Sequence, residues 1–174
     1  MASNKTCSVT PLASLNIEGG KTLSKFTTLR VGGVAQWFAE PKNIKEIQFL
    51  LLWAKAKKIP CQIIGAGSNL LISDSELKGL SICTKKMHKN TLNIKSGILE
   101  AESGAHLPTL ARQVAQAGLG GLEWAVGIPG TVGGAVSMNA GAEGSCVAEW
   151  LQSIQVLPIN GGKPFEIDKK DLDF

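Results

Sequence analysis

The sequence contains no tyrosine, only two arginines (Arg30, Arg112), two histidines (His88, His106) and four scattered cysteines (Cys7, Cys61, Cys83, Cys146). Each scarcity removes a class of function. Two histidines and no C-x-x-C pair leave no zinc-ligand cluster, so no metal site is expected. Cys61 and Cys83 lie in apolar, strand-like runs and read as buried free thiols, which fits a cytoplasmic protein. The net charge of +4 is carried almost wholly by lysine, and aromatics make up 5 % of the chain. Base and phosphate-fork recognition favours arginine with interleaved aromatics, so Lys57-Lys58 and Lys85-Lys86 read as solvated surface, and no nucleic-acid partner is expected. A local anionic ligand stays compatible with them. The longest apolar run, Phe49 to Ala54, is far short of a membrane span. Residues 1–10 lack the charged and then apolar regions of a signal peptide, so no membrane partner is expected either.

What is present is a folding composition. The 174 residues are 44 % hydrophobic and 18 % charged, which excludes a disordered chain and suggests one domain or two small interleaved ones. Residues 1–16 read as a disordered lead-in. Phe26 to Gly33 is β-rich, and Val34 to Ala39 reads as a strand stopped by Glu40-Pro41. Asn43, with Glu46 three residues on, opens a helix whose apolar face runs from Ile44 through Ile47, Leu51 and Ala54. Cys61 to Ile64 is a short strand, so residues 34–64 form a strand–helix–strand unit expected to pair in parallel. Leu70 to Ile72 continues extended, and Leu80 to Thr84 is a further strand. A hairpin is expected from Thr91–Lys95 to Ile98–Glu102, then a helix beginning near Pro108 and ending at Gly118. A second hairpin turns around Asn160-Gly161-Gly162, and Asp168 looks like the cap of a new helix.

Glycine carries the chemistry. Strand 61–64 runs into Gly65-Ala66-Gly67-Ser68-Asn69-Leu70. Glycines after a strand permit positive φ and let backbone N–H groups close on a phosphate, with Ser68 and Asn69 as short donors. Leu70 stands where a third fingerprint glycine belongs and no Gly-Lys-Ser/Thr follows, so this is neither a Rossmann nor a Walker loop. The residues fit a plain tight turn as well as a phosphate cradle. The second segment is Gly127-Ile128-Pro129-Gly130-Thr131-Val132-Gly133-Gly134, running on to Asn139 and Gly141. Nine of the 20 glycines fall between 118 and 144. Each costs about 0.5–1 kcal/mol relative to Ala in a regular element. Close packing of a buried loop accounts for some of them, and close approach of backbone to a ligand accounts better for so many.

Together with Arg30-Val-Gly-Gly33 and Gly120-Gly-Leu-Glu123, these two segments resemble the UDP-N-acetylenolpyruvoylglucosamine reductase family, flavoenzymes of peptidoglycan precursor synthesis. The resemblance runs from about Phe26 to Phe174, and the Gly127 to Gly141 block is its most specific part. It implies an α+β fold, the FAD-binding fold of the vanillyl-alcohol oxidase/PCMH type, with two α+β subdomains at about 17–86 and 87–174. It implies that Gly65, Ala66, Gly67, Ser68, Asn69 and Leu70 hold the FAD diphosphate. Gly127, Ile128, Pro129, Gly130, Thr131, Gly133, Gly134, Asn139 and Gly141 would then run along the diphosphate, ribityl chain and ring. Some relatives of this fold attach FAD covalently through a histidine in the first glycine loop. Ala66 and Gly67 fill that loop here, so FAD is expected to be noncovalent. Arg30 either lines the cofactor side or is an ordinary surface residue. His88 and His106, outside both glycine motifs, read as structural or exposed.

The family reaction is NADPH-dependent reduction of UDP-N-acetylglucosamine enolpyruvate to UDP-N-acetylmuramate. The resemblance places the catalytic arginine, serine and glutamate beyond Asp171-Leu-Asp-Phe174, the latter two in a third domain that would bind the UDP-sugar. No catalytic residue is therefore assigned in this chain, the subdomain at 87–174 is expected to be incomplete, and the chain alone is expected to be inactive. The alternatives are a stand-alone flavin-binding module without reductase activity and an oxidase of the same fold. Nothing in the sequence sets an oligomeric state.

Overall fold

The computed structural model describes residues 16–174. The expected lead-in, apart from Asn16, lies outside the described residues. The first half is built on a four-stranded sheet ordered β1-β2-β4-β3: β1 (Ile17–Thr22), β2 (Val34–Ala39), β3 (Cys61–Ile64) and β4 (Leu77–Cys83). Between β2 and β3 runs α1 (Ile44–Lys57). Its start is the expected one. Asn43 Oδ1 accepts the Glu46 N–H at 3.0 Å, and the Glu46 carboxylate accepts the Lys42 N–H at 2.8 Å. Its end is a left-handed Lys58, φ 55°, whose N–H returns to the last turn.

The strand–helix–strand unit differs from expectation in one respect. β2 and β3 do not pair with each other; each pairs in parallel with β4, which lies between them. β4 is accordingly buried on both faces. Leu80 and Ile82 pack against Leu50, Leu51 and Ala54 of α1. Cys83 faces the opposite side with Leu23, Phe38 and Ile64, as the two-residue strand period requires. β4 begins three residues earlier than expected because Leu77 pairs with Ala35 of β2, ahead of a bulge beside which Gln36 Oε1 accepts the Gly79 N–H at 2.8 Å. β1, with two glycines in six residues, gave no strand signal and is held as an antiparallel edge.

Two expected extended runs are not strands. Residues 27–33 form a turn in which Thr27 Oγ1 donates to the Val31 carbonyl at 2.7 Å and Arg30 sits left-handed, φ 55°. Residues 70–72 are irregular, with Leu70 and Ile72 tucked against the Leu23 cluster.

The second half opens with the expected hairpin, β5 (Asn90–Asn93) and β6 (Ile98–Ala101), with Asn90 opposite Ala101. α2 (Leu107–Gln116) follows, and Gly118 takes φ 76° after it. α3 (Val132–Ser137), β7 (Gly141–Ala142), β8 (Ser145–Cys146) and α4 (Val147–Trp150) come from the glycine-rich stretch. Leu107, Ala111, Trp124, Ala125, Ala135 and Val147 make their core. The last hairpin is β9 (Ser153–Val156) and β10 (Phe165–Asp168). Its tip packs on α1: Gln48 Nε2 donates to the Gly161 and Gly162 carbonyls at 3.1 and 3.0 Å. The helix expected after Asp168 is a single 3-10 turn, Lys169–Asp171, with no side-chain cap bond.

Because β4 serves both cores, Leu80→Ala is expected to destabilise the protein by about 2–5 kcal/mol in urea unfolding. Leu71→Ala, at a side chain 81 % exposed, should stay within about 0.5 kcal/mol.

Candidate cofactor-binding site

The two glycine segments, far apart in sequence, meet. Ser68 Oγ donates to the Pro129 carbonyl at 2.8 Å. A Cβ on Gly65 would stand 2.5 Å from Thr131 Oγ1, and one on Gly130 (φ 149°) would stand 3.3 Å from Ser68 Oγ. Thr131 is 3 % exposed and caps α3, its Oγ1 accepting the Gly134 N–H at 3.4 Å. The Gly130 carbonyl accepts the Leu107 N–H at 3.1 Å, and the Val132 N–H donates to Ala105 at 2.9 Å. These bonds lash the second segment to the entrance of α2. The Cys83 thiol points at the Gly65 carbonyl (3.9 Å) under the first loop, and burial pushes its pKa up.

The residues singled out in sequence do different jobs. Leu70 packs in the first core and Ile128 against the second. Gly67, φ 71°, lies where a Cβ would collide with the Phe26 carbonyl, and its own carbonyl accepts the Thr28 N–H at 3.1 Å. A Cβ on Gly133 would stand 2.8 Å from the Ser103 Cβ, and the Gly133 N–H donates to the Ser103 carbonyl at 2.8 Å. Gly141 closes the turn on Ser145 and Cys146. Asn139, φ 41°, accepts the Ala148 N–H on Oδ1 at 3.0 Å. These four have reasons within the protein.

Two features have none. Gly127 meets nothing within 4 Å, so a side chain there would enter open space. In the first loop, the N–H groups of Ala66, Gly67, Ser68 and Asn69 donate to no acceptor among the described residues. Four successive free donors on a glycine turn make an anion-binding concavity. On that observation the residues fit a phosphate-bearing cofactor.

Beside the loop is a cleft of about 400 Å³, lined by Ala66, Thr131, Lys85, His88, His106 and Thr109 among others. Sequence reasoning set both histidines aside. The signal was available in the β5–β6 register, since a hairpin with Asn90 opposite Ala101 brings residues 103–106 back to residues 85–88.

A family profile described as "FAD binding domain" matches residues 35–167. The chain belongs to the FAD-binding domain family. It is 55 % identical over 153 residues to the UDP-N-acetylenolpyruvoylglucosamine reductase of Prochlorococcus marinus (strain MIT 9313), covering 88 % of this chain and 50 % of that protein. It is 52 % identical over 157 residues to the reductase of the same name from Synechococcus sp. (strain CC9605), covering 90 % and 52 %. This FAD-binding domain thus spans about half the length of the curated relatives it matches, and it corresponds to their FAD-binding part. The crystal structure of UDP-N-acetylenolpyruvylglucosamine reductase (MurB) from Thermus caldophilus superposes with a TM-score of 0.73 at 32 % identity, over 92 % of this chain and 55 % of that one. A xylooligosaccharide oxidase from Myceliophthora thermophila C1 shares the fold at 17 % identity, with a TM-score of 0.66 over 91 % and 36 %. The FAD-binding domain is α+β, of the vanillyl-alcohol oxidase/PCMH type expected from its motifs.

Glycines the protein itself requires should report on stability. Gly67→Ala and Gly133→Ala are each expected to cost about 1–3 kcal/mol in the apo protein, read as a lower thermal midpoint. Gly127→Ala, in open space, should cost nothing or stabilise by up to about 1 kcal/mol.

Proposed function

We propose that this chain holds FAD noncovalently across the junction of its two glycine segments. Within a reductase, it would serve the NADPH-dependent conversion of UDP-N-acetylglucosamine enolpyruvate to UDP-N-acetylmuramate. The observation that carries the reading is the run of free N–H groups at Ala66, Gly67, Ser68 and Asn69. The names of its relatives support the reaction. Bound FAD supplies hydride transfer. The chain's own part is to bind and orient. The first loop would hold the diphosphate with its backbone donors, and the open space at Gly127 would admit the flavin part. Thr131 keeps the two segments in register.

The domain division at about residue 86 belongs to this proposal, with the cofactor lying between the halves. So do a UDP-sugar as partner and work in the cytoplasm, on the peptidoglycan pathway that the relatives' activity implies. We place no catalytic residue in the 174 residues. The chain alone is expected to consume no NADPH in response to the enolpyruvyl substrate.

The test is uptake of FAD by the purified chain, followed by flavin absorption and fluorescence quenching. A protein that remains colourless after incubation with FAD under native conditions overturns the reading. Acid precipitation should release all the flavin to the supernatant, and flavin retained on the denatured chain would contradict noncovalent attachment. Gly127→Leu fills the open space and is expected to weaken FAD binding about tenfold, roughly 1.4 kcal/mol. Lys57→Ala, at the exposed end of α1, should leave the dissociation constant within about twofold.

A further inference from the structure

The tip of the β9–β10 hairpin holds a reactive dipeptide. Asn160-Gly161 is the one place in the sequence where glycine follows asparagine; the other seven asparagines precede Lys, Ile, Leu, Thr or Ala. Asn160 is exposed, whereas Gly161 is buried. Asn160 Oδ1 accepts the Gly162 N–H at 3.0 Å. That bond draws electron density from the side-chain carbonyl and stabilises negative charge building on its oxygen. Glycine has no Cβ to shield the backbone nitrogen that follows Asn160. An unshielded amide nitrogen next to an electrophilic Cγ closes readily to a cyclic imide.

Docking of the tip restrains this chemistry. The Gly161 N–H donates to the Pro158 carbonyl at 2.9 Å, which holds the nitrogen in a turn. Gln48 of α1 donates to the Gly161 and Gly162 carbonyls at 3.1 and 3.0 Å. A Cβ on Gly161 would stand 2.6 Å from Leu52 Cγ, so the backbone lies directly on α1. For attack, the nitrogen must lose its proton and swing towards Cγ, and the tip must first leave α1. Local openings of this kind cost less free energy than global unfolding.

We propose that Asn160 is a deamidation site gated by docking of the hairpin tip on α1, and that its isoaspartate product releases the tip. The Gly161 nitrogen gives its proton to solvent base and attacks Asn160 Cγ. A C–N bond forms, and the side-chain nitrogen takes up a proton and leaves as ammonia. Water then adds to one carbonyl of the imide and breaks its C–N bond. Opening at the side-chain carbonyl gives aspartate. Opening at the main-chain carbonyl gives isoaspartate, with the backbone now running through the side chain. The net exchange is water for ammonia, with no change of oxidation state. Isoaspartate lengthens the backbone before Gly161 by one C–C bond, about 1.5 Å. Gln48 bonds to two successive carbonyls just after that point, and the lengthened chain cannot present both.

The experiment is ageing of the full chain in mildly alkaline buffer, with peptide mapping that separates asparagine, aspartate and isoaspartate. Hydrogen exchange at Gly161 and Gly162 reports docking, and conversion at Asn90 and Asn93 gives the background. Asn160 should convert fastest of these, and exchange at the tip should quicken as isoaspartate accumulates. Gln48→Ala and Gln48→Glu, which remove the donor, should each speed conversion at Asn160 about three- to tenfold and leave Asn90 and Asn93 unchanged. Asn160→Ser should keep the exchange of the fresh protein throughout ageing. Conversion at Asn160 no faster than at Asn90 or Asn93 would overturn the site. An unchanged rate in both Gln48 variants, or equal acceleration at every asparagine through loss of the whole fold, would overturn the gating. Quickened tip exchange in aged Asn160→Ser would overturn release by isoaspartate.

Discussion

The rest of the site depends on the 2.5 Å between Thr131 Oγ1 and the place where a Gly65 side chain would begin. Thr131 is nearly buried, caps α3, and stands in the strand-like bridge to His106 that ties the second glycine segment to α2. A side chain at position 65 would make Thr131, and with it the contact between the two segments, shift. The sheet positions the first segment, the second core positions the next, and this one approach sets their relative register.

The glycines divide by physical cause. At Gly67 the backbone is left-handed and a carbonyl occupies the side-chain position, so two independent constraints exclude other residues. At Gly133 and Gly141 neighbouring atoms of the protein fill the space. At Gly127 nothing does. A glycine with room around it and no left-handed backbone is unexplained by folding alone, which is why that position speaks for a ligand. The free N–H groups of 66–69 point the same way. A donor run left unpaired by the protein is paired by something else, water or an anion.

The first half coheres through β4, whose alternate residues feed the core under α1 and the core behind the sheet. The second half is not independent of it. The tip of the β9–β10 hairpin is bonded to Gln48 of α1, and Gly104 admits the Thr84 carbonyl where a side chain would otherwise sit. The xylooligosaccharide oxidase shares the fold at 17 % identity.

Local signals were legible wherever one short stretch carried the whole cause. The cap at Asn43, the stop at Glu40-Pro41, the β5–β6 hairpin and the chain reversal near Gly161 needed only neighbours along the chain, and each was readable from the residues. The glycine motifs were likewise enough to identify the family. β1 was illegible because its two glycines carry no strand propensity and it is held by pairing with β2. The extended reading of 27–33 failed because the Thr27 hydroxyl bonds to Val31 and closes a turn. The sequence by itself therefore determined α1, α2, the β5–β6 and β9–β10 hairpins and the family. Only the tertiary structure decided that β4 would lie between β2 and β3, which glycines serve packing and which face open space, and that Lys85, His88 and His106 would share one cleft. Pairing order and the meeting of distant loops depend on contacts far apart in sequence, and no local pattern encodes them.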